Sequence, residues 1–232
     1  MDAQKTVIIT GAAGGLGSTV TKTFLEKGYK VIATVASEKS KNSLEVHNNL
    51  DIYAVDLGDE KQAEDFVTSA IAKYGKIDAV LLLAGGFAMG GVTATKGDDI
   101  KKQLSINFET AYYVARPLFE HMLENNNGRI IFIGARPALK SAQGKNLVAY
   151  SLSKSLLFKL AEFMNETAKG KNVTATVVVP STIDTPVNRQ AMPDANFNDW
   201  VQPSALANIL EFVVNDKSAS LREPVLKVYN NA

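Results

Sequence analysis

Apolar and polar positions along the chain follow two alternating patterns. Short, β-branched-rich runs of strand length occupy residues 6–10, 29–35, 51–55, 77–84, 129–133, 173–179 and 225–228. Between them, apolar residues recur at helical spacing. After the first run, Leu16, Val20, Phe24 and Leu25 mark a helix reaching about Lys27, and Gly28 is placed to end it. Further helical patterns cover residues 59–74, 98–125, 148–168 and 204–214. Residues 85–97 form a glycine-rich loop, and 181–203 read as a long irregular segment of the kind that usually carries function. Strand–helix alternation over the whole length predicts an α/β fold. Right-handed crossovers then give a doubly wound, mainly parallel sheet of about seven strands with helices on both faces. No linker or repeat divides the chain, so residues 1–232 are expected to form a single domain.

Composition narrows the function classes. Hydrophobic residues are 46% and charged residues 21%, a globular balance. The net charge of +1 supplies no broad field for nucleic acid or an anionic membrane, and neither is expected as a partner. Cysteine is absent, which removes disulfides, thiolate catalysis and Cys-ligated metals. The apolar run at residues 7–9 is too short for a secretory or membrane segment, so a cytoplasmic location is expected. His47 and His121 lie far apart without a carboxylate grouping and read as surface residues; no metal site is expected.

The chemistry begins where the first strand meets the first helix, in Thr10-Gly11-Ala12-Ala13-Gly14-Gly15-Leu16-Gly17. Glycines there let backbone approach a pyrophosphate, and the helix offers its N–H groups and positive dipole end. The end of the second strand bears on the choice of dinucleotide. Ala36 stands at the ribose-facing position and carries no carboxylate to repel a 2′-phosphate, while Ser37 and Lys39 could contact one. NADP(H) is therefore favoured over NAD(H), although a register shifted by two would put Glu38 in the acidic role. Further along, Tyr150 and Lys154 are four residues apart and share a helix face. An ammonium beside a phenol is expected to lower its pKa from about 10 and make it a proton shuttle. Asn107 sits inside a predicted helix, where asparagine competes for backbone hydrogen bonds.

The T-G-x-x-x-G-x-G pattern, followed by Tyr-x-x-x-Lys, resembles the short-chain dehydrogenase/reductase family, and the likeness runs through the whole chain. It implies a Rossmann-type fold and an NAD(P)-dependent oxidoreductase. It assigns Gly11, Gly15, Leu16 and Gly17 to the cofactor loop, and Asp56 and Leu57 to the adenine. Ala84 and Gly85 fall in the family's N-A-G segment, with Leu83 replacing the asparagine. Pro180 and Thr185 match its P-G-x-x-x-T segment, with Ser181 replacing the glycine, and Thr185 is expected to contact the nicotinamide carboxamide. Tyr150 becomes the acid/base, Lys154 its activator and ribose ligand, and Asn107 the holder of a water that relays protons to the lysine. Family members commonly pair through the long helix and the Tyr150 helix, so a homodimer or homotetramer is expected.

One departure shapes the reading. Where most members have a carbonyl-polarising serine, this chain has Ala135, and Ser141 comes too late. The subgroup of quinoid dihydropteridine reductases shows the same loss. Similarity to that subgroup extends to Gly134-Ala135, to Ala84-Gly85-Gly86-Phe87 with Gly90-Gly91, and to the segment from Asp184-Thr185-Pro186-Val187-Asn188-Arg189 through Met192 to Trp200. Asn107 points the other way, because the pterin reductases usually lack it. The resemblance implies hydride transfer to a small conjugated substrate such as a quinonoid dihydropterin, in a pocket of Phe87, Met89, Ala135, Met192 and Trp200. The alternatives are a general carbonyl or 3-oxoacyl reductase and, behind both, a non-enzymatic cofactor-sensing regulator.

Overall fold

The computed structural model describes residues 4–231. Seven strands form one sheet in the order β3-β2-β1-β4-β5-β6-β7, and every pairing is parallel. The strands are β1 (Thr6–Thr10), β2 (Lys30–Val35), β3 (Leu50–Ala54), β4 (Ala79–Leu82), β5 (Gly128–Ile133), β6 (Val173–Pro180) and β7 (Val225–Val228). Adjacent strand residues point to opposite faces, and both faces are covered, which is why these runs are almost continuously apolar. Ile8 and Ile32 belong to the core on one face, under α3 (Glu60–Tyr74), α5 (Thr110–Glu124) and α8 (Val148–Thr167). Val7 and Ile9 belong to the other, under α1 (Gly17–Glu26) and α10 (Pro203–Val214).

The chain winds outwards in both directions from β1, so the order reverses between β1 and β4. In open parallel sheets a ligand crevice forms at such a switch point, beyond the carboxyl ends of the strands. Thr10 holds the two sides in register there. Its Oγ1 accepts hydrogen bonds from the backbone N–H of Leu83 at 3.0 Å and of Ala84 at 3.2 Å.

The structure corrects several expected boundaries. The fourth strand is shorter than expected, because residues beyond Leu82 turn into the crevice. The long helix expected at residues 98–125 is two helices, α4 (Gly97–Leu104) and α5, joined by a π turn at Ser105–Glu109. A short helix, α2 (Glu38–Lys41), lies between β2 and β3, and segments read as loop contain the short helices α6 (Arg136–Leu139), α7 (Ser141–Gly144) and α9 (Pro186–Ala191). His121 is half-buried rather than a surface residue: its Nε2 accepts from the Ile77 N–H at 3.3 Å, and burial lowers its pKa. Among the described residues no helix is long and apolar enough to cross a membrane.

Candidate active site

The glycine loop is shaped by backbone packing. Gly11 has φ +63°, the left-handed region open to glycine, and a Cβ there would lie 2.9 Å from the Ala84 nitrogen. A Cβ on Gly17 would lie 2.1 Å from the Gly11 carbonyl oxygen, so the loop closes only with glycine at that position. Gly15 differs. A Cβ there would meet the Thr185 side chain across the crevice, with Cγ2 at 3.1 Å. No side chain caps α1, and no acidic residue stands in its first turn. The helix therefore presents an uncompensated positive end beside exposed glycine backbone, which fits a pyrophosphate.

The end of β2 leads into exposed Ala36. Ser37 caps α2, its Oγ accepting from the Ser40 N–H at 3.3 Å. Glu38 is paired with Lys41 at 2.8 Å. Asp56 is exposed beyond β3, and its Oδ1 accepts from the Gly58 N–H at 3.0 Å. Leu57 is buried in the core. Pro180 ends β6.

The Tyr150–Lys154 helix face meets the crevice beside Asn107 and Gly85. Lys154 is 6% exposed, and its Nζ donates to the Ile133 carbonyl at 2.9 Å. A Cβ on Gly85 would lie 2.7 Å from Asn107 Oδ1 and 3.3 Å from Lys154 Nζ, so Gly85 is where these two side chains converge. Asn107 lies in the π turn and is 1% exposed. Its Oδ1 accepts from the Gly86 N–H at 2.9 Å. Its Nδ2 lies within reach of the Gly86 carbonyl at 3.0 Å, Gln103 Oε1 at 3.0 Å and Ser153 Oγ at 3.2 Å. Asn107 thus fastens the Gly86 backbone to the helix that carries Lys154. Gln103 and Ser153 were missed in the sequence; Gln103 stands one turn before Asn107, and Ser153 directly precedes Lys154.

The expected lowering of the Tyr150 pKa does not hold in this arrangement. Burial pushes Tyr150 up to about 12 and pushes Lys154 down to about 8. The lysine ammonium is engaged with the Ile133 carbonyl, and desolvation outweighs any help it gives the phenol. Tyr150 is therefore held protonated at neutral pH, the form an acid catalyst needs.

The substrate side is uneven. The Phe87 ring packs edge-on against Tyr150 with centroids 5.2 Å apart, and Phe87, Met89 and Met192 are exposed. Gly90 forms an isolated parallel bridge with Leu147, which ties the Phe87 loop to the start of α8. Ala135 is 5% exposed and precedes α6 in extended conformation, offering no side-chain donor. Ser141 is exposed at the start of α7. Trp200, expected in the substrate pocket, is 5% exposed and packs on Phe197, with centroids 4.8 Å apart. Thr185 caps α9, its Oγ1 accepting from the Asn188 N–H at 3.3 Å.

A parallel sheet with its switch point under a glycine loop, flanked by a Tyr–Lys pair, defines an oxidoreductase of the dinucleotide-binding class. The family model described as short chain dehydrogenase matches residues 5–196, and the chain belongs to that family. It is 23% identical to the 3-oxoacyl-[acyl-carrier-protein] reductase FabG of Thermotoga maritima, over 97% of this chain and 96% of the relative. It is 25% identical to the dihydropteridine reductase of Dictyostelium discoideum, over 97% of this chain and 94% of the relative. The solved structure of ElxO with NADP bound superposes with a TM-score of 0.89 at 21% identity, covering 97% of each chain, a likeness of fold.

Proposed function

We propose that this enzyme reduces a small conjugated substrate, with a quinonoid dihydropterin as the best named candidate, at the expense of NADPH. The observation that carries the reading is Ala135: a buried methyl stands where a ketone reductase needs a second donor to the developing oxyanion. A conjugated ring spreads incoming charge over several atoms and depends less on that donor. The exposed Phe87, edge-on to Tyr150, offers such a ring an aromatic neighbour. NADPH is favoured over NADH because Ala36 has no carboxylate and Glu38 is drawn onto Lys41.

A bound nicotinamide dinucleotide supplies the hydride. The chain's own residues do the rest. The Gly11, Gly15 and Gly17 backbone and the start of α1 receive the pyrophosphate. Thr185 faces Gly15 from the opposite wall and is suited to the carboxamide. Tyr150 Oη holds the proton that the substrate takes up. Lys154 supplies positive charge against the phenolate that remains, and Asn107 keeps the Gly85–Gly86 backbone in place beside it.

General carbonyl or 3-oxoacyl reduction is the second reading. The buried, fully engaged Asn107 favours it, because the pterin reductases usually lack that residue. The deciding experiment is kcat/KM for quinonoid dihydropterin and for acetoacetyl-CoA with NADPH. A preference for the ketone with indifference to the pterin replaces the first reading by the second. No turnover of either, with dinucleotide still bound, would support a cofactor-sensing role.

The same family resemblance supports a homodimer or homotetramer. On α8, Leu152, Leu156 and Phe163 are 49%, 40% and 64% exposed, whereas Leu157 is buried in the chain's own core. Light scattering at micromolar concentration tests this; a monomer overturns it.

A further inference from the structure

The segment between β6 and α10 is held shut by its own side chains. The Asp184 side chain is 4% exposed, yet it carries a charge. Arg189 grips its carboxylate with two bonds, Nε to Oδ1 at 2.5 Å and Nη2 to Oδ2 at 2.7 Å. Gln202 Nε2 adds a third at 2.8 Å. These bonds hold the Asp184 pKa down at about 2, so the grip is charged at neutral pH. The outer face of the Arg189 guanidinium lies over the Phe197 ring, 4.6 Å from its centroid, and Phe197 packs in turn on Trp200. Backbone bonds close the base: Asp184 N–H to the Val201 carbonyl at 2.9 Å, and Val201 N–H to the Thr182 carbonyl at 2.8 Å. One arginine thus joins the first turn of the segment to its last.

The next residue after Asp184 is Thr185, whose Cγ2 stands 3.1 Å from the position of a Cβ on Gly15. The clasp sits on one side of that peptide bond and the glycine loop on the other. Pro186 follows at the start of α9 and restricts Thr185 to extended backbone, which it adopts at φ −118° and ψ 154°. With its backbone restricted, Thr185 takes its position from Asp184, and Asp184 takes its position from Arg189. A bidentate guanidinium–carboxylate pair fixes orientation as well as distance, which a single ammonium contact does not.

We propose that Asp184 and Arg189 are positioning residues that set Thr185 against the glycine loop and so govern how tightly the nicotinamide dinucleotide is held. This rests on the reading of that loop as the dinucleotide site. It assigns to this charged pair a role exerted through Thr185. The clasp acts on the affinity for the dinucleotide and leaves the proton chemistry of Tyr150 unchanged.

The chain provides its own reporter, because Trp200 is its only tryptophan and lies within the clasped segment. The experiment measures NADP+ affinity by calorimetry, Trp200 emission, and NADPH-dependent turnover in wild type, Arg189→Gln, Arg189→Lys and Asp184→Asn. The expected result for Arg189→Gln is a Kd for NADP+ raised about tenfold or more. Its Trp200 emission shifts to the red as the Phe197 cover loosens, and kcat at saturating NADPH stays within about threefold of wild type. Arg189→Lys keeps the charge without the fork and falls between the two. If Arg189→Gln fails to fold by circular dichroism, Asp184→Asn carries the test with the same expected change, since it keeps the shape while removing the charge and one of the two acceptor oxygens that Arg189 and Gln202 use. Wild-type NADP+ affinity in a folded Arg189→Gln or Asp184→Asn protein overturns the clasp while leaving the dinucleotide site standing. A wild type that binds neither NADP+ nor NAD+ overturns both.

Discussion

The two walls of the crevice are built by different means. On the β1 side the glycine loop is fixed by backbone against backbone: Gly17 against the Gly11 carbonyl, Gly11 against the Ala84 nitrogen. No charged side chain takes part. On the β6 side the wall is made of side chains, with Asp184, Arg189 and Gln202 in one grip and Phe197 and Trp200 packed behind it. A backbone wall suits the part of a ligand that never changes, a pyrophosphate. A side-chain wall can be re-cut residue by residue without disturbing the sheet beneath. On the proposed reading the β6 wall meets the dinucleotide through Thr185, and discrimination between substrates falls to the loops around Phe87 and Ala135.

The largest expected effect separates both walls from the chemistry between them. Tyr150→Phe should lower the reductive rate about 10³-fold, within the range of a lost general acid, while NADP+ affinity stays within about twofold of wild type. A parallel loss of affinity would mean that the tyrosine builds a wall as well.

Lys154→Met comes next, with a rate loss of about a hundredfold and a gain in stability. The sign follows from burial. The folded pKa, about 8, lies below the unfolded 10.5, so the folded chain gives up this proton first. Wild-type stability from this group therefore rises as pH climbs from about 8 to about 10.5, and below that window the buried charge is a burden of at most about 3 kcal/mol. The variant should melt higher than wild type at pH 7, and the difference should shrink across the window. Thermal melts at pH 7, 8, 9 and 10 check it; a variant that melts lower at every pH contradicts it. In the wild type, loss of the Lys154 charge should also lower reductive activity above about pH 8.

The glycines sharpen the contrast between the walls. Gly17→Ala should abolish the loop, because only backbone stands in its way. Gly15→Val should fold and bind NADP+ about tenfold more weakly, because its obstacle is the Thr185 side chain. Gly15→Ala should do less harm, and adding Thr185→Ser, which removes the crowded Cγ2, should recover part of the loss. Calorimetry measures all four. Equal damage from Gly17→Ala and Gly15→Ala would erase the distinction.

The smallest effect is on the substrate side. Ala135→Ser should raise kcat/KM for ketones by about tenfold or less and leave the pterin rate within about twofold. An equal rise for both substrates would argue against the role given to the missing donor.

The backbone wall was largely legible in the sequence, and the side-chain wall was not. Glycines between a strand and a helix announce a turn and an approach to phosphate, and the β/α alternation gives the sheet around them. Thr10 was quoted in that motif, but its part in clipping β4 to β1 needs the fold. Spacing put Tyr150 and Lys154 on one face, yet it could not reveal that the ammonium turns to Ile133. Asn107 looked out of place in a straight helix, and the structure resolves this with a π turn. An unusual residue was visible; its remedy was not. The sequence puts Trp200 near the substrate pocket but does not say which way its ring faces, and the ring packs inward on Phe197. Asp184 and Arg189 are five apart across a proline, a spacing that belongs to neither helix nor strand, so no periodicity pointed to the pair.

The π turn at Ser105–Glu109 has a consequence for how this helix can be edited. A π turn holds one residue more than the α-helical path through the same space. Deleting a single residue there would let α4 and α5 run on as one regular helix. The widened turn absorbs the extra residue, so α4 would still face α8 and α5 would still face α3. What the deletion would remove is the place that Asn107 occupies within the π turn. A one-residue deletion in the regular part of α4 or α5 differs: it turns one helix about 100° relative to the other, and both contacts could not survive that rotation together. The same helix should therefore tolerate a lost residue in its packing at the π turn, at the cost of the site, and nowhere else along its length.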